Sequence, residues 1–420
     1  MKNKPAILGG RPVLNKPLPP YNSIGREETR AALRVMKTGI LSEFVGRAGD
    51  QFLGGKYVKE LEQRMCRKFK VKYAVSFNSA TTALEASVAA VGVKRGDEVI
   101  TTPYTMSATA TAILLNGATP VFADIDPDSF CLDPKSVEKL ITKKTKAIMT
   151  VNLFGGSSDF PELLRLAKKY KLKLLEDNAQ SIGAKYKDKF LGTIGDAGVF
   201  SFNFHKTLQC GEGGVMVTND KDVAFRAQLI RNHAEVVVHD LGKEGDAYAD
   251  ILGNNYRLSE IHAAIAIEQF KKLDKLNRPR VELADYLSSQ LKKISWLEPL
   301  KVMAQSTHVY YVYPFKFFIQ KAGFSRKTFA RAMAAEGFLL GEGYVEPLYL
   351  LPFYQRGADK FKYKKGICPV TEHFYEKELL YVGICRTPLN KKHIDLFMRA
   401  IKKIDENKAE LAVYEKRSGR

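Results

Sequence analysis

The chain has 420 residues, 45% hydrophobic and 27% charged, with a formal net charge of +20. This composition is that of an ordinary globular protein with a large core and about two or three domains, and it excludes a disordered or fibrous chain. No run approaches the about 18 uninterrupted apolar residues of a membrane span, and the lysines are scattered without a long basic run, so neither a membrane nor a nucleic acid is expected as partner.

Residues 1 to about 24 are rich in proline and glycine and read as an extended arm. Helical spacing follows from Arg26 to Lys37 (Ala31, Leu33, Val35, Met36), then a loop from Gly39 to Gly55, then a helix from Lys56 to Phe69 with Val58, Leu61, Met65 and Phe69 on one face. From Tyr73 the pattern alternates. Strands are predicted at 73–77, 98–102, 121–124, 147–154 and 172–176, and helices at 81–91, 105–115, 134–141 and 160–170. Such alternation predicts an α/β domain with a largely parallel sheet flanked by helices. Ligands of such sheets bind beyond the carboxyl ends of the strands, where residues 78–81, 103–106 and Asp177 fall.

A further strand spans 198–202, and a helix is expected over 222–230. Residues 233–254 are polar and irregular and read as a loop. A long helix starts at Ser259 and is expected to break at Pro279, before a second helix with Leu283, Leu287, Leu291 and Ile294 on one face. Aromatic strands from Val309, a helix at 326–335 and a last helix at 391–404 suggest a smaller α+β domain, ending in a charged tail, KRSGR. The division implied is residues 1–257 for the arm and large domain and 258–420 for the smaller C-terminal one. The five cysteines are scattered with no C-x-x-C pair, which predicts reduced thiols and no zinc site. The opening segment MKNKPAILGGRPV lacks an apolar signal core, so a cytoplasmic location is expected.

Chemistry concentrates between Leu174 and Thr218. Asp177 ends an apolar strand, where a carboxylate is costly unless it meets a cation. It could keep a pyridine nitrogen protonated, or serve as a plain cap or ion pair. Gln180 could reach the same ligand or be a first-turn polar residue. Lys206 follows the strand that carries Ser201 and precedes the GEGG turn. An amine enclosed there has a lowered pKa and can form a Schiff base, whereas an ordinary lysine is solvated. His205 beside it reads as structural, because neighbours in an extended segment point apart. Ser79-Ala80-Thr81 joins a strand to a helix, which suits either phosphate or a simple N-cap by Ser79 or Thr81.

The segments FNSATTAL (77–84), GDEVITTPYT (96–105), NGATPVFADID (116–126), LLEDNAQSIGA (174–184), GDAGVFSFNFHKTLQCGEGG (195–214) and GNNYRLSEIHAAIAIEQ (253–269) stand in order along the chain. In these motifs the chain resembles the nucleotide-sugar aminotransferases of the DegT/DnrJ/StrS family, within the fold type I (aspartate-aminotransferase-like) pyridoxal-phosphate enzymes. The resemblance runs from about Gly9 to Ile404. It implies pyridoxal 5′-phosphate as cofactor, Lys206 as Schiff-base lysine, Asp177 as partner of the pyridine nitrogen and Gln180 near the ring hydroxyl. It places Ala80, Thr81 and Ser201 at the phosphate, and it makes Asn255 the residue that reaches the phosphate of a neighbouring subunit. A homodimer with shared active sites follows.

Two departures stand out. Met106 takes the place of the usual aromatic residue on the ring face, where a thioether can still pack. Tyr349 takes the place of a frequent histidine among the substrate contacts. The activity implied is transfer of an amino group from glutamate or glutamine to a keto sugar in nucleotide-linked form. ILGGRPV and FLGGKYVKELE are also similar to a branch that acts on keto-cyclitols, and a dehydratase or lyase on the same fold is the other alternative.

Overall fold

The computed structural model describes residues 3–356 and 363–418. Its first strands are β1 (Tyr73–Phe77), β2 (Glu98–Thr101), β3 (Thr119–Phe122), β4 (Thr145–Val151), β5 (Lys173–Asp177), β6 (Lys185–Tyr186), β7 (Lys189–Phe190), β8 (Ala197–Ser201) and β9 (Gly214–Thr218). Among the described residues β6 and β7 pair with each other, and the others form one sheet in the order β1-β9-β8-β5-β4-β2-β3. Strands β3, β2, β4, β5 and β8 run parallel. Strand β9 runs against both β8 and β1, because the chain returns from β8 through a glycine turn rather than a helical crossover. Strand β1 therefore points the same way as β8. The carboxyl ends of β1, β5 and β8 and the start of β9 share one edge.

The helices before the small domain are α1 (Arg26–Thr38), α2 (Lys56–Phe69), α3 (Ala80–Ala90), α4 (Ala108–Leu115), α5 (Pro134–Leu140), α6 (Phe160–Tyr170), α7 (Lys221–Arg231), α8 (Ala234–Asp240), α9 (Glu260–Lys271) and α10 (Leu273–Leu291). They cover both faces of the sheet, so its central strands are apolar throughout rather than alternating. Val199 and Met216 pack with Leu84 and Val88 of α3 and Ala227 of α7. Phe200, Val215 and Val217 point to the other face, against Met65 and Phe69 of α2 and Ile267 of α9. This is the period-two alternation of a pleated strand, with apolar partners on either side.

The second sheet comprises β10 (Leu297–Pro299), β11 (Tyr313–Phe317), β12 (Gly341–Glu342) and β13 (Leu379–Val382), all antiparallel in the order β10-β11-β13-β12. Its core gathers around Trp296, with Phe317, Phe329, Phe397 and Ile401. The indole N–H is satisfied by Asp405 at 2.6 Å.

Several elements differ from expectation. The helix that starts at Ser259 ends at Lys271, and α10 runs straight through Pro279. A proline removes one N–H and crowds one carbonyl; the buried Leu283, Ala284, Leu287 and Leu291 hold the helix in spite of it. Residues 233–254 are not simply a loop: they contain α8 and a 3-10 turn at Gly242–Tyr248. There Val237 and Ala234 bury against Phe52 and Leu229, contacts that a polar reading of the segment misses. The charged tail begins within a helix, Lys408–Ser418, anchored by buried Leu411 and by Glu415, which accepts from Thr328 Oγ1 at 2.6 Å. Helix α9 follows residue 258 in sequence, yet packs with the large sheet through Ala263, Ala266 and Ile267. The arm has one 3-10 turn, Ala6–Leu8, and docks on the small domain, where the buried Glu336 carboxylate accepts from Ala6 N and Val13 N. Among the described residues no helix is long and apolar enough to cross a membrane.

Candidate active site

Asp177 is the last residue of β5 and is 5% exposed. Its Oδ2 accepts from Thr109 Oγ1 at 2.7 Å and its Oδ1 from Ala179 N at 3.1 Å. Burial raises the carboxyl above its usual range, opposed by these two donors and by the charge of Lys206. Glu176, one residue earlier, points to the opposite face. It accepts from the backbone N–H of Gly192, Ile194 and Gly195 and from Asn152 Nδ2, so its work is to hold that turn.

Lys206 sits in a turn closed by its own N–H to Asn203 O at 2.9 Å. Its Nζ lies 4.6 Å from the centroid of the Tyr311 ring. Burial pulls the amine down to about 8, and the Asp177 charge opposes the fall. Lys206 makes no salt bridge among the described residues. The amine is therefore half-buried and aromatic-faced, and near pH 8 it holds a far larger neutral, nucleophilic fraction than an ordinary lysine. His205 is in the same turn rather than in an extended segment; it is exposed and edge-on to the Phe204 ring.

At the start of α3 the cap is Ser79, whose hydroxyl accepts from Thr82 N. The N–H groups of Ala80 and Thr81 have no acceptor among the described residues, as the first turn of a helix requires unless a ligand provides one. Gly214 opens β9 directly beneath: a Cβ there would lie 2.5 Å from Ala80 N. Only a bare backbone fits at that point. Ser201 ends β8 opposite Gly214, and its hydroxyl accepts from Asn203 N at 3.3 Å.

Gln180 is buried and engaged at both ends of its amide, by Phe154 N and by the Tyr344 hydroxyl. Met106 precedes α4 and is 62% exposed. Asn255 pairs its backbone with Asn232, while its side chain is exposed and bonds to nothing within the chain among the described residues. Tyr349 is fully buried and donates to Glu372. It is part of the packing around Phe122 and not a group that can touch a substrate.

Thr109, Tyr311 and Tyr344 were not foreseen. Thr109 is one of several threonines in an Ala-Thr run, and Tyr311 and Tyr344 lie far from Lys206 in sequence, in aromatic segments without a distinguishing pattern. Only the folding of the small domain against the sheet edge brings them in.

A largely parallel sheet thus carries a depressed amine, a buried carboxylate and bare helix-start N–H groups together at its carboxyl edge. The chain belongs to the DegT/DnrJ/EryC1/StrS aminotransferase family, whose pattern matches residues 45–395. It is 32% identical over 306 residues to the GDP-perosamine synthase of Escherichia coli O157:H7, covering 73% of this chain and 81% of that one. It is 34% identical over 304 residues to a putative L-glutamine:3-amino-2,3-dideoxy-scyllo-inosose aminotransferase of Micromonospora echinospora, covering 71% and 69%. Among solved structures it resembles Helicobacter pylori PseC, an aminotransferase of pseudoaminic acid biosynthesis, with a TM-score of 0.77 and 29% identity over 91% of this chain and 97% of that one.

Proposed function

We propose that this aminotransferase uses pyridoxal 5′-phosphate, attached through Lys206, to move an amino group from glutamate or glutamine to a keto sugar in nucleotide-linked form. The observation that carries the reading is a Lys206 amine lowered to about 8 beside the buried Asp177 carboxylate at one sheet edge. The residues fit the cofactor. Two unbonded N–H groups, a nearby hydroxyl and a glycine floor suit a phosphate, and the buried carboxylate suits a protonated ring nitrogen.

When bound, the cofactor supplies an electrophilic carbon for an amine and a ring that takes up the electrons of a broken Cα–H bond. The chain's own residues do the rest. Ala80, Thr81 and Ser201 hold the phosphate, and Asp177, oriented by Thr109 and Ala179, keeps a proton on the ring nitrogen. Met106 packs on the ring face. Lys206 Nζ would take the proton from the donor's Cα and return it to the carbon on the far side of the nitrogen, as base and then acid. The two substrates come and go in turn, so the kinetics are ping-pong. Asn255 reaches the phosphate site of a second copy, making a cytoplasmic homodimer with shared sites. The chain divides into a cofactor-binding part at 1–257 and a smaller part at 258–420, whose first helix, α9, packs back on the large sheet.

A keto-cyclitol is the second acceptor class, favoured by ILGGRPV, FLGGKYVKELE and the Micromonospora relative. The test is to incubate the protein with pyridoxal phosphate, glutamate or glutamine and a panel of keto sugars and keto-cyclitols, reading product masses. The expected product carries an amine in place of a carbonyl, with the donor converted to its keto acid. A product without added nitrogen identifies a dehydratase or lyase instead. Lys206→Ala removes both half-reactions; wild-type turnover in that variant would sink the proposal.

A further inference from the structure

Gln180 is held in one orientation. Phe154 N donates to its Oε1 at 2.9 Å, and its Nε2 donates to the Tyr344 hydroxyl at 2.9 Å. A backbone N–H can only donate, so the oxygen end of the amide must face Phe154 and the NH2 end must face Tyr344. The second Nε2 hydrogen has no acceptor among the described residues.

Tyr344 is itself tightly placed. Its backbone is left-handed, at φ 60°, as is that of Phe154 at φ 58°. Side-chain-bearing residues stay in that region only where their surroundings over-determine them. The Tyr344 ring stands edge-on to Phe154 at 4.8 Å, to Tyr381 at 5.8 Å and to Tyr104 at 6.0 Å. The Tyr104 hydroxyl donates to the carbonyl of Gly343 at 2.7 Å. Two polar contacts from the large domain thus grip one small-domain turn over the site.

We propose that Tyr344 is a positioning residue: through Gln180 it aims the remaining amide N–H at the ring oxygen of bound pyridoxal phosphate and holds that oxygen as an anion. This rests on the cofactor reading above. A donor to an anionic oxygen weakens that oxygen's hold on a shared proton, so losing the donor moves the titration of the bound cofactor to higher pH. The titratable groups around Tyr344 are Tyr311 before β11, Asp177 on β5, Tyr381 on β13 and Tyr104 after β2; Lys206 faces Asp177, and Arg326 and Tyr375 lie against Tyr104. Tyr344→Phe leaves all of them in place. Burial keeps the Tyr344 phenol far above its usual range, so it is neutral throughout.

The test uses the full chain loaded with pyridoxal phosphate and follows its visible absorption band against pH. In Tyr344→Phe the midpoint rises by roughly 0.5–1 pH unit, the worth of one hydrogen bond. In a Gln180→Ala background, Tyr344→Phe moves it no further. An unchanged midpoint in the cofactor-loaded single variant overturns the proposal, and so does an equal shift in the Gln180→Ala background. A merely structural role would lower the melting temperature in both backgrounds and leave the midpoint in place. If Tyr344→Phe does not fold, Tyr104→Phe, which loosens the same turn, carries the test: a smaller rise is expected, and no shift overturns the proposal. A wild-type protein that develops no such band fails at the cofactor reading, which is a different result from a band whose midpoint ignores Tyr344.

Discussion

The Lys206 amine and the Tyr311 ring meet at 4.6 Å although they lie far apart in the sequence. Tyr311 is pinned by its N–H to Phe154 O at 2.8 Å and by Arg280 Nη1 to its carbonyl at 3.3 Å. The ring covers the amine on a side that would otherwise be water, and desolvation is the main reason the amine titrates low.

The first prediction concerns that titration. The rate at which apo protein captures pyridoxal phosphate follows the unprotonated amine, so it reaches half its maximum near pH 8 (the value to which burial brings Lys206) instead of at an ordinary lysine value. Asp177→Asn removes the charge that favours the protonated amine and moves the midpoint lower. The linkage has a definite sign. Between about 8 and the ordinary lysine value the unfolded chain binds the proton that the folded one has lost, so the Lys206 contribution to apo stability rises with pH across that window. Stopped-flow absorbance and urea unfolding at a series of pH values measure the two effects.

Gly214→Ala tests the floor of the phosphate cradle. The new methyl would lie 2.5 Å from Ala80 N and 2.6 Å from Ala80 Cα, both backbone atoms that cannot turn aside. The start of α3 must shift, at a cost of about 1–3 kcal/mol. Cofactor affinity falls with it. Equilibrium dialysis of pyridoxal phosphate beside a thermal melt shows both.

Glu336→Gln tests the arm. The carboxylate is wholly buried, and accepts from Ala6 N at 2.7 Å, Val13 N at 2.9 Å and Lys403 Nζ at 2.9 Å. An amide in its place turns a donor toward donors and leaves Lys403 without its carboxylate. Removing one member of a buried pair costs about 3–5 kcal/mol. Chemical denaturation gives the loss, and limited proteolysis shows early cutting within residues 3–14.

Tyr349→Phe separates packing from substrate contact. The hydroxyl is buried and donates to Glu372, which also accepts from Gly366 N at 2.7 Å. The variant loses about 1–2 kcal/mol of stability, the worth of one buried hydrogen bond to a charged group. Its KM for the acceptor is unchanged; a marked rise in KM would put Tyr349 back among the substrate contacts.

Much of the fold was legible. Strand Tyr73–Phe77 and helices Lys56–Phe69, Phe160–Tyr170 and Arg326–Ala335 stand where periodicity placed them, because each has a single strong apolar face or run. Failures came where packing overrides local preference. Pro279 looked like a stop because its local chemistry is that of a stop, and the buried leucines after it decided otherwise. Helix α8 was hidden by polar neighbours and a valine run, and became stable by burying Val237.

The sequence by itself determined the layered α/β order, the strand ends that carry Asp177 and Ser201, the place of Lys206 between a strand and the glycine turn, and the family to which they belong. These are local features, written in spacing and in residues adjacent along the chain. Only the tertiary structure decided that Thr109 braces Asp177, that Tyr311 faces the amine, that Tyr344 fixes Gln180 and that Tyr349 is out of reach. Each of those is a contact between segments far apart in sequence, and a side chain's solvent and partners exist only once the chain has folded.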